Sequence, residues 1–189
     1  LEDEIWDGFP DESNAPYGVS KKIMLTQSDA YRQQFGFNSI TVIPTNIYGP
    51  GDNFQIENSG VIPGIISKSH NAAKNNSNKI TLWGDGKATR DFLFVDDASD
   101  GIILAAEKYN DVSPINLGAE YEISINDLAI IISKIMNFSG EIIWDTTKGN
   151  GQPRRCVSNY KAEKEIGFKP KTSLNDGLEK MITWFESNN

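Results

Sequence analysis

Helix-patterned segments alternate along this chain with short β-branched apolar runs, and that alternation confines it to folds in which helices cover a largely parallel sheet. Pro16 stands where a first helical residue often stands and Gly36 ends the run, so residues 16–35 are expected to be helical. Ser39-Ile-Thr-Val-Ile43 follows at once, apolar and β-branched as a strand buried on both faces is. Residues 48–53 read as a turn and 61–75 as a helix, with the polar tract 71–79 as a loop. Short strands at 80–83 and 91–95 flank Gly84-Asp85-Gly86. Asp96 or Asp97 is expected to cap a helix running to Tyr109, and residues 114–117 form another strand. Ser124-Ile-Asn-Asp127 opens a helix to about Asn137 with Leu128, Ile131, Ile132 and Ile135 on one face. After a strand at 141–144, Ser173-Leu-Asn-Asp176 opens a last helix with Leu178, Met181, Ile182 and Phe185 inward. Residues 1–15 are expected to be irregular.

A chain of 189 residues, 38% hydrophobic and 23% charged, suffices for one sizeable globular core or two small ones. No apolar run is long enough to span a membrane. The formal net charge of −8 argues against a nucleic-acid or anionic-membrane surface, which needs clustered Lys and Arg. It leaves room for a small phosphorylated ligand held by local cations. The single Cys156 has no internal disulfide partner, and the single His70 builds no zinc site, so no metal is expected. His70 is read as an ordinary surface helix residue. A reducing cytoplasm fits this cysteine usage. The acidic start Leu1-Glu2-Asp3-Glu4 carries neither an initiating Met nor a secretory leader, so a piece of a longer protein is expected.

Tyr17-Gly-Val-Ser-Lys21 places a phenol and an ammonium four residues apart, on one face of a helix and about 5–6 Å apart at Cβ. A cation beside a phenol favours its ionised form, and such a tyrosine can pass a proton to or from a sugar hydroxyl or ketone. Taken alone, the spacing equally describes a solvated helix face.

More residues follow in a fixed order: Asn14-Ala-Pro16 before the pair, then Ile40-Thr-Val-Ile-Pro44-Thr-Asn46-Ile-Tyr48-Gly-Pro50 and Asp52-Asn-Phe54. Val61-Ile-Pro63, Trp83-Gly-Asp-Gly86, Arg90-Asp-Phe92, Val95-Asp-Asp97, Asn116-Leu-Gly118, Trp144-Asp145 and Gly151-Gln-Pro-Arg-Arg155 complete the set. Together they resemble the extended short-chain dehydrogenase/reductases of the NAD-dependent epimerase/dehydratase family, closest to the GDP-L-fucose synthase-like nucleotide-sugar enzymes. The resemblance implies the C-terminal part of a Rossmann-type NAD(P)-binding α/β fold with a mixed α/β substrate-binding domain. Residues 1–45 would be a remnant of the Rossmann domain, and 46–189 mainly the substrate-binding domain with segments crossing back to the Rossmann sheet. Tyr17 would be the acid/base at the sugar C4 oxygen. Lys21 would hold the nicotinamide ribose hydroxyls, and Pro44 would lie beside the nicotinamide. Asn46 would face the sugar and Val61 would line the nucleotide end. Lys68 stands where the family has an Arg on the diphosphate. Trp83 would pack near the nucleotide, Arg90 would bind the diphosphate or ribose, and Arg155, with Arg154, would lie on a loop that closes over the substrate. Arg offers bidentate bonds to phosphate, which suits these roles. Without the resemblance, Trp83 is equally ordinary packing, Arg90 a surface ion pair, and Asp52 and Asn53 the shapers of a turn.

Two departures qualify the implied activity. No Gly-rich strand–turn–helix unit for a dinucleotide pyrophosphate occurs here, and the family's catalytic Ser or Thr also lies upstream of the Tyr. Gly60 stands where the fucose synthase pattern has the His that serves epimerisation at C3 and C5. His70 lies about 15 Å further along if the segment is helical, so it is no replacement. The expected function is therefore 4-keto reduction or epimerisation of a nucleotide-linked hexose, GDP-linked first, using NAD or NADP and a cofactor-binding half outside this chain. The isolated chain is expected to be inactive. The alternative is a non-catalytic, truncated nucleotide-sugar-binding module. The complete enzyme is expected to be a homodimer. The Tyr17/Lys21 helix also offers Ile23, Met24 and Ala30 outward, so the chain should self-associate. Light scattering should detect species larger than the monomer as concentration rises; a monodisperse monomer at high concentration would contradict this.

Overall fold

The structure is a computed structural model that describes residues 1–149 and 151–189. Helix α1 spans Ala15–Phe35 with Pro16 in its first turn. Gly36 closes it at φ +63, its N–H bonding the Arg32 carbonyl, a left-handed conformation that glycine adopts without a Cβ penalty. Strand β1 (Val42–Pro44) follows, then β2 (Asn46–Tyr48), α2 (Val61–Lys74), β3 (Lys79–Trp83) and β4 (Thr89–Phe94). The rest is α3 (Val95–Lys108), β5 (Ile115–Leu117), β6 (Glu122–Ser124), α4 (Ile125–Ile135), β7 (Glu141–Asp145), β8 (Arg154–Arg155), α5 (Tyr160–Ile166) and α6 (Leu174–Asn188).

Among the described residues the strands form three small sheets. β1 pairs with β5, and β3 with β7, both in parallel. β4 has three partners: β2 and β8 in parallel and β6 antiparallel. Successive residues of a strand face opposite sides, and β4 thereby feeds two cores. Phe92 and Phe94 enter the larger core, built from α2, α4 and α6 with Ile62, Ile66, Leu128, Ile132, Leu178 and Met181. Leu93 enters a second core in which Ala98, Ile115, Leu117, Ile166 and Phe168 unite α3, β5 and α5, with Ile40 and Val42 at its margin. Each fully buried Leu or Ile adds roughly 1.5–3 kcal/mol of transfer free energy. No helix among the described residues is long and apolar enough to cross a membrane.

The helical faces expected from periodicity are the buried ones. Leu128 and Ile132 are fully enclosed with Ile131 and Ile135 at the edge, and Leu178, Met181, Ile182 and Phe185 all point inward. Ser124 and Ser173 cap their helices as the sequence suggests, each accepting from the backbone N–H of Asp127 or Asp176.

Other expectations need correction. Residues 1–15 contain two 3-10 turns, Asp3–Trp6 and Glu12–Asn14. Strand pairing covers 42–44 rather than 39–43. Tyr48 belongs to β2 and is buried, so the turn starts after it. β6, β8 and α5 are too short to produce a periodic signal. Neither Asp96 nor Asp97 caps α3: Phe94 occupies the N-cap position, with no side-chain bond. The buried Asp97 reaches instead across the fold, where its carboxylate accepts the backbone N–H groups of Lys171 (3.1 Å) and Thr172 (2.9 Å) and ties down the segment leading into α6. Losing that acceptor leaves two donors unpaired, so Asp97→Ala should cost about 1–3 kcal/mol and lower the urea midpoint at unchanged m. Asp96→Ala should change stability by less than about 0.5 kcal/mol. Equal effects would refute the strut.

Candidate functional site

The alternation along β4 also builds the cleft. Phe92 stands opposite Asn46 of β2, and Arg90 opposite Arg155 of β8. The side chains of Asn46, Arg90 and Arg155 therefore share one cavity of about 570 Å³, bordered also by Gly60 and Val61 at the start of α2. A second cavity of about 340 Å³ adjoins it, with Lys68, Trp83 and Trp144 in its wall. Gly60, Val61, Arg90 and Gly151 border both, so the two form one elongated cleft hinged on Arg90.

Of the residues named from sequence, Asn46, Val61, Lys68, Trp83, Arg90 and Arg155 come together here. Asn46 is oriented by its Nδ2, which donates to the Asp91 carbonyl at 2.8 Å. Lys68 Nζ donates to the Thr81 carbonyl at 2.8 Å and lies 5.5 Å from the centre of a Trp83 ring; partial burial lowers its pKa. Trp83 is 62% exposed, so it is not ordinary packing, and Lys148 Nζ also stands 6.0 Å from its ring. Arg90 is not a surface ion pair either. Its Nη1 donates to the Thr89 carbonyl at 2.7 Å, and its pKa is pulled down first by burial and then by the charge of Arg155. Arg155 donates from Nε and Nη2 to Gln152 Oε1 at 3.3 and 3.2 Å. The ion pairs of Lys87, Arg154, Lys169 and Lys171 involve neither guanidinium. Two guanidiniums thus face one cavity, whose wall also carries the carboxylates of Asp11 and Asp52.

Tyr17, Lys21 and Pro44 border neither cavity. Tyr17 and Lys21 do share a face of α1, as their spacing requires, with Lys21 Nζ 5.3 Å from the phenol ring centre. Both are exposed, and Pro44 is half-buried at the end of β1. Asp11 and Asn14, just before α1, carry that end of the chain to the cleft. Tyr48 is the phenol that does line it, but burial first, then Asp97 and Asp176, push its pKa far up, so it stays protonated. His70 is not a free surface residue: it is half-buried, edge-on to Phe185 at 5.3 Å, and outside the cleft. Gly60 opens α2 without a capping side chain, and a Cβ there would meet only Pro63, at 3.7 Å. The position has room for a side chain that this sequence lacks. Sequence reasoning missed Gln152 and Trp144 as parts of the cleft wall. The Gly149-to-Pro153 stretch beside Arg154 and Arg155 was the available signal.

The fold is that of a Rossmann-type α/β protein, with an elongated cleft lined by Arg90 and Arg155. Residues 2–118 match the NAD dependent epimerase/dehydratase family, and the chain belongs to it. It is 36% identical over 187 residues to the probable GDP-L-fucose synthase 1 of Oryza sativa subsp. japonica, covering 99% of this chain and 57% of that protein. Against the GDP-L-fucose synthase of Sinorhizobium fredii it is 38% identical, covering 99% and 59%. The crystal structure of a GDP-L-fucose synthetase from Naegleria fowleri bound to NADP superposes with a TM-score of 0.90 at 30% identity, over 100% of this chain and 60% of that one. The chain thus spans somewhat over half the length of these relatives.

The two guanidiniums that face the cavity predict a measurable effect. Inorganic pyrophosphate at fixed ionic strength should raise the melting temperature. Arg90→Ala and Arg155→Ala should each remove most of that gain, whereas Lys164→Ala, on the exposed side of α5, should retain it. Equal loss in all three would point to general surface charge.

Proposed function

We propose that this chain is the substrate-holding part of an NAD(P)-dependent nucleotide-sugar epimerase/reductase that performs 4-keto reduction or epimerisation on a nucleotide-linked hexose, GDP-linked by preference. The observation that carries this reading is the sharing of Arg90 and Val61 by two adjoining cavities of different chemistry. The sugar would lie toward Asn46, the diphosphate at Arg90 and Arg155, and the base against the exposed face of Trp83 beside Lys68. The names of the relatives, GDP-L-fucose synthases, support the GDP-linked choice.

In this reading residues 1–45, with the later segments of the second core, belong to a Rossmann layer, and the remainder is mainly the substrate lobe. The open face of α1 carrying Tyr17 and Lys21 fits a nicotinamide ribose, and Pro44 ends the neighbouring strand β1. A nicotinamide held there would supply hydride-transfer chemistry to the sugar. Tyr17 gives or takes the proton at the C4 oxygen. Lys21, its Nζ 5.3 Å from the centre of the Tyr17 ring, would donate to the ribose hydroxyls. These 189 residues contain no Gly-rich strand–turn–helix unit, so the pyrophosphate of the cofactor would be seated by sequence outside them. Gly60 carries no proton, which favours C4 chemistry over epimerisation at C3 and C5. The complete enzyme would be a cytoplasmic homodimer. A second reading, a nucleotide-sugar-binding module without catalysis, is favoured by the position of Tyr17 and Lys21 outside the cleft.

Calorimetric titration of the chain with GDP-mannose, UDP-glucose and NADPH tests the proposal. GDP-mannose should bind, Arg90→Ala should weaken it by about ten-fold or more, and NADPH should not bind to the isolated chain. Tight NADPH binding would overturn the division of labour, and no nucleotide-sugar binding would overturn the site.

A further inference from the structure

Strand β8 is only two residues long, and a single main-chain bond, from Thr89 N to the Pro153 carbonyl at 2.9 Å, leads into its pairing with β4. It nonetheless sets Arg155 opposite Arg90, where like charges repel. Something must hold it there. The neighbouring Arg154 faces the other side of the strand, by the alternation of successive residues. Its Nε lies 2.9 and 3.0 Å from the two oxygens of Glu122, and its Nη2 donates to Glu122 Oε2 at 2.8 Å. The same Glu122 accepts the Thr89 hydroxyl at 2.5 Å. Glu122 is on β6, paired to one edge of β4, while β8 is on the other. One bidentate ion pair therefore straddles β4 and ties β8, β4 and β6 together. Bidentate Arg–carboxylate geometry fixes direction as well as distance. The side-chain bonds from Arg154 and Thr89 hold the Glu122 carboxyl below its usual range, so the pair remains charged in mildly acidic solution.

We propose that Arg154 and Glu122 are positioning residues: their ion pair locks β8 onto β4 and thereby presents Arg155 beside Arg90 for a nucleoside diphosphate. Binding by Arg155 rests on the function proposed above; the locking of β8 does not.

The test is a double-mutant cycle on the 189-residue chain, with GDP as the titrated ligand and hydrogen exchange at the Thr89 amide as a second readout. Arg154→Ala should weaken GDP about as much as Arg155→Ala, each roughly ten-fold. Because Arg154 acts through Arg155, the double variant should bind no worse than Arg155→Ala. The Thr89 amide should exchange faster in Arg154→Ala, and the charge-reversed pair Glu122→Arg with Arg154→Glu should restore both its protection and GDP binding. Multiplying losses in the double variant would overturn the proposal, as would unchanged exchange at Thr89. If the parent chain binds no GDP, the diphosphate reading fails. Accelerated Thr89 exchange in Arg154→Ala would then still uphold the lock, and unchanged exchange would refute it as well.

Discussion

The alternation of side chains along β4 is the constraint on which the rest of this structure depends. One face of the strand sends Phe92 and Phe94 into the larger core and Arg90 into the cleft. The other sends Leu93 into the second core, and on that side Asp91 accepts the Ala119 N–H while Thr89 holds Glu122. A slip of one residue would exchange these sets, turning Arg90 away from the cleft and forcing two phenylalanines into a core packed around Leu93. Three partner strands make such a slip expensive, and that is why a charged residue can stand at the rim of an apolar core.

The site inherits its geometry from that strand. β2 delivers Asn46, β8 delivers Arg155, and the start of α2 roofs the junction with Gly60 and Val61. The resulting cleft has a cationic middle, a polar end and an aromatic end. The proposed nucleotide-sugar ligand rests on that sequence of environments rather than on any single residue. The pair on α1 is exposed and borders neither cavity, although Asp11 and Asn14, just before it in sequence, line the cleft.

Much of this was legible in the sequence, for physical reasons that differ by element. Helices α4 and α6 announced themselves through a Ser cap and a helical apolar period, both local properties. The cleft residues were legible because motif order, rather than any local pattern, placed Asn46, Val61, Lys68, Trp83, Arg90 and Arg155 in one site. What stayed hidden was long-range. Asp97 looked like a helix cap because Asp near a helix start usually is one, while its partners, Lys171 and Thr172, lie more than seventy residues on. β6 and β8 exist only because β4 offers them edges, and no two- or three-residue run signals that alone. Tyr48 read as the start of a turn because Gly-Pro-Gly follows it, yet its ring is needed in the core against Phe92 and Phe94.

The central claim is that one cleft, hinged on Arg90, holds a nucleoside diphosphate along its length. A crystal structure of the chain soaked with GDP tests it most directly. The account predicts diphosphate density between Arg90 and Arg155, with the base lying against Trp83. Density elsewhere, or a base turned toward Asn46 with Trp83 uncovered, would contradict it.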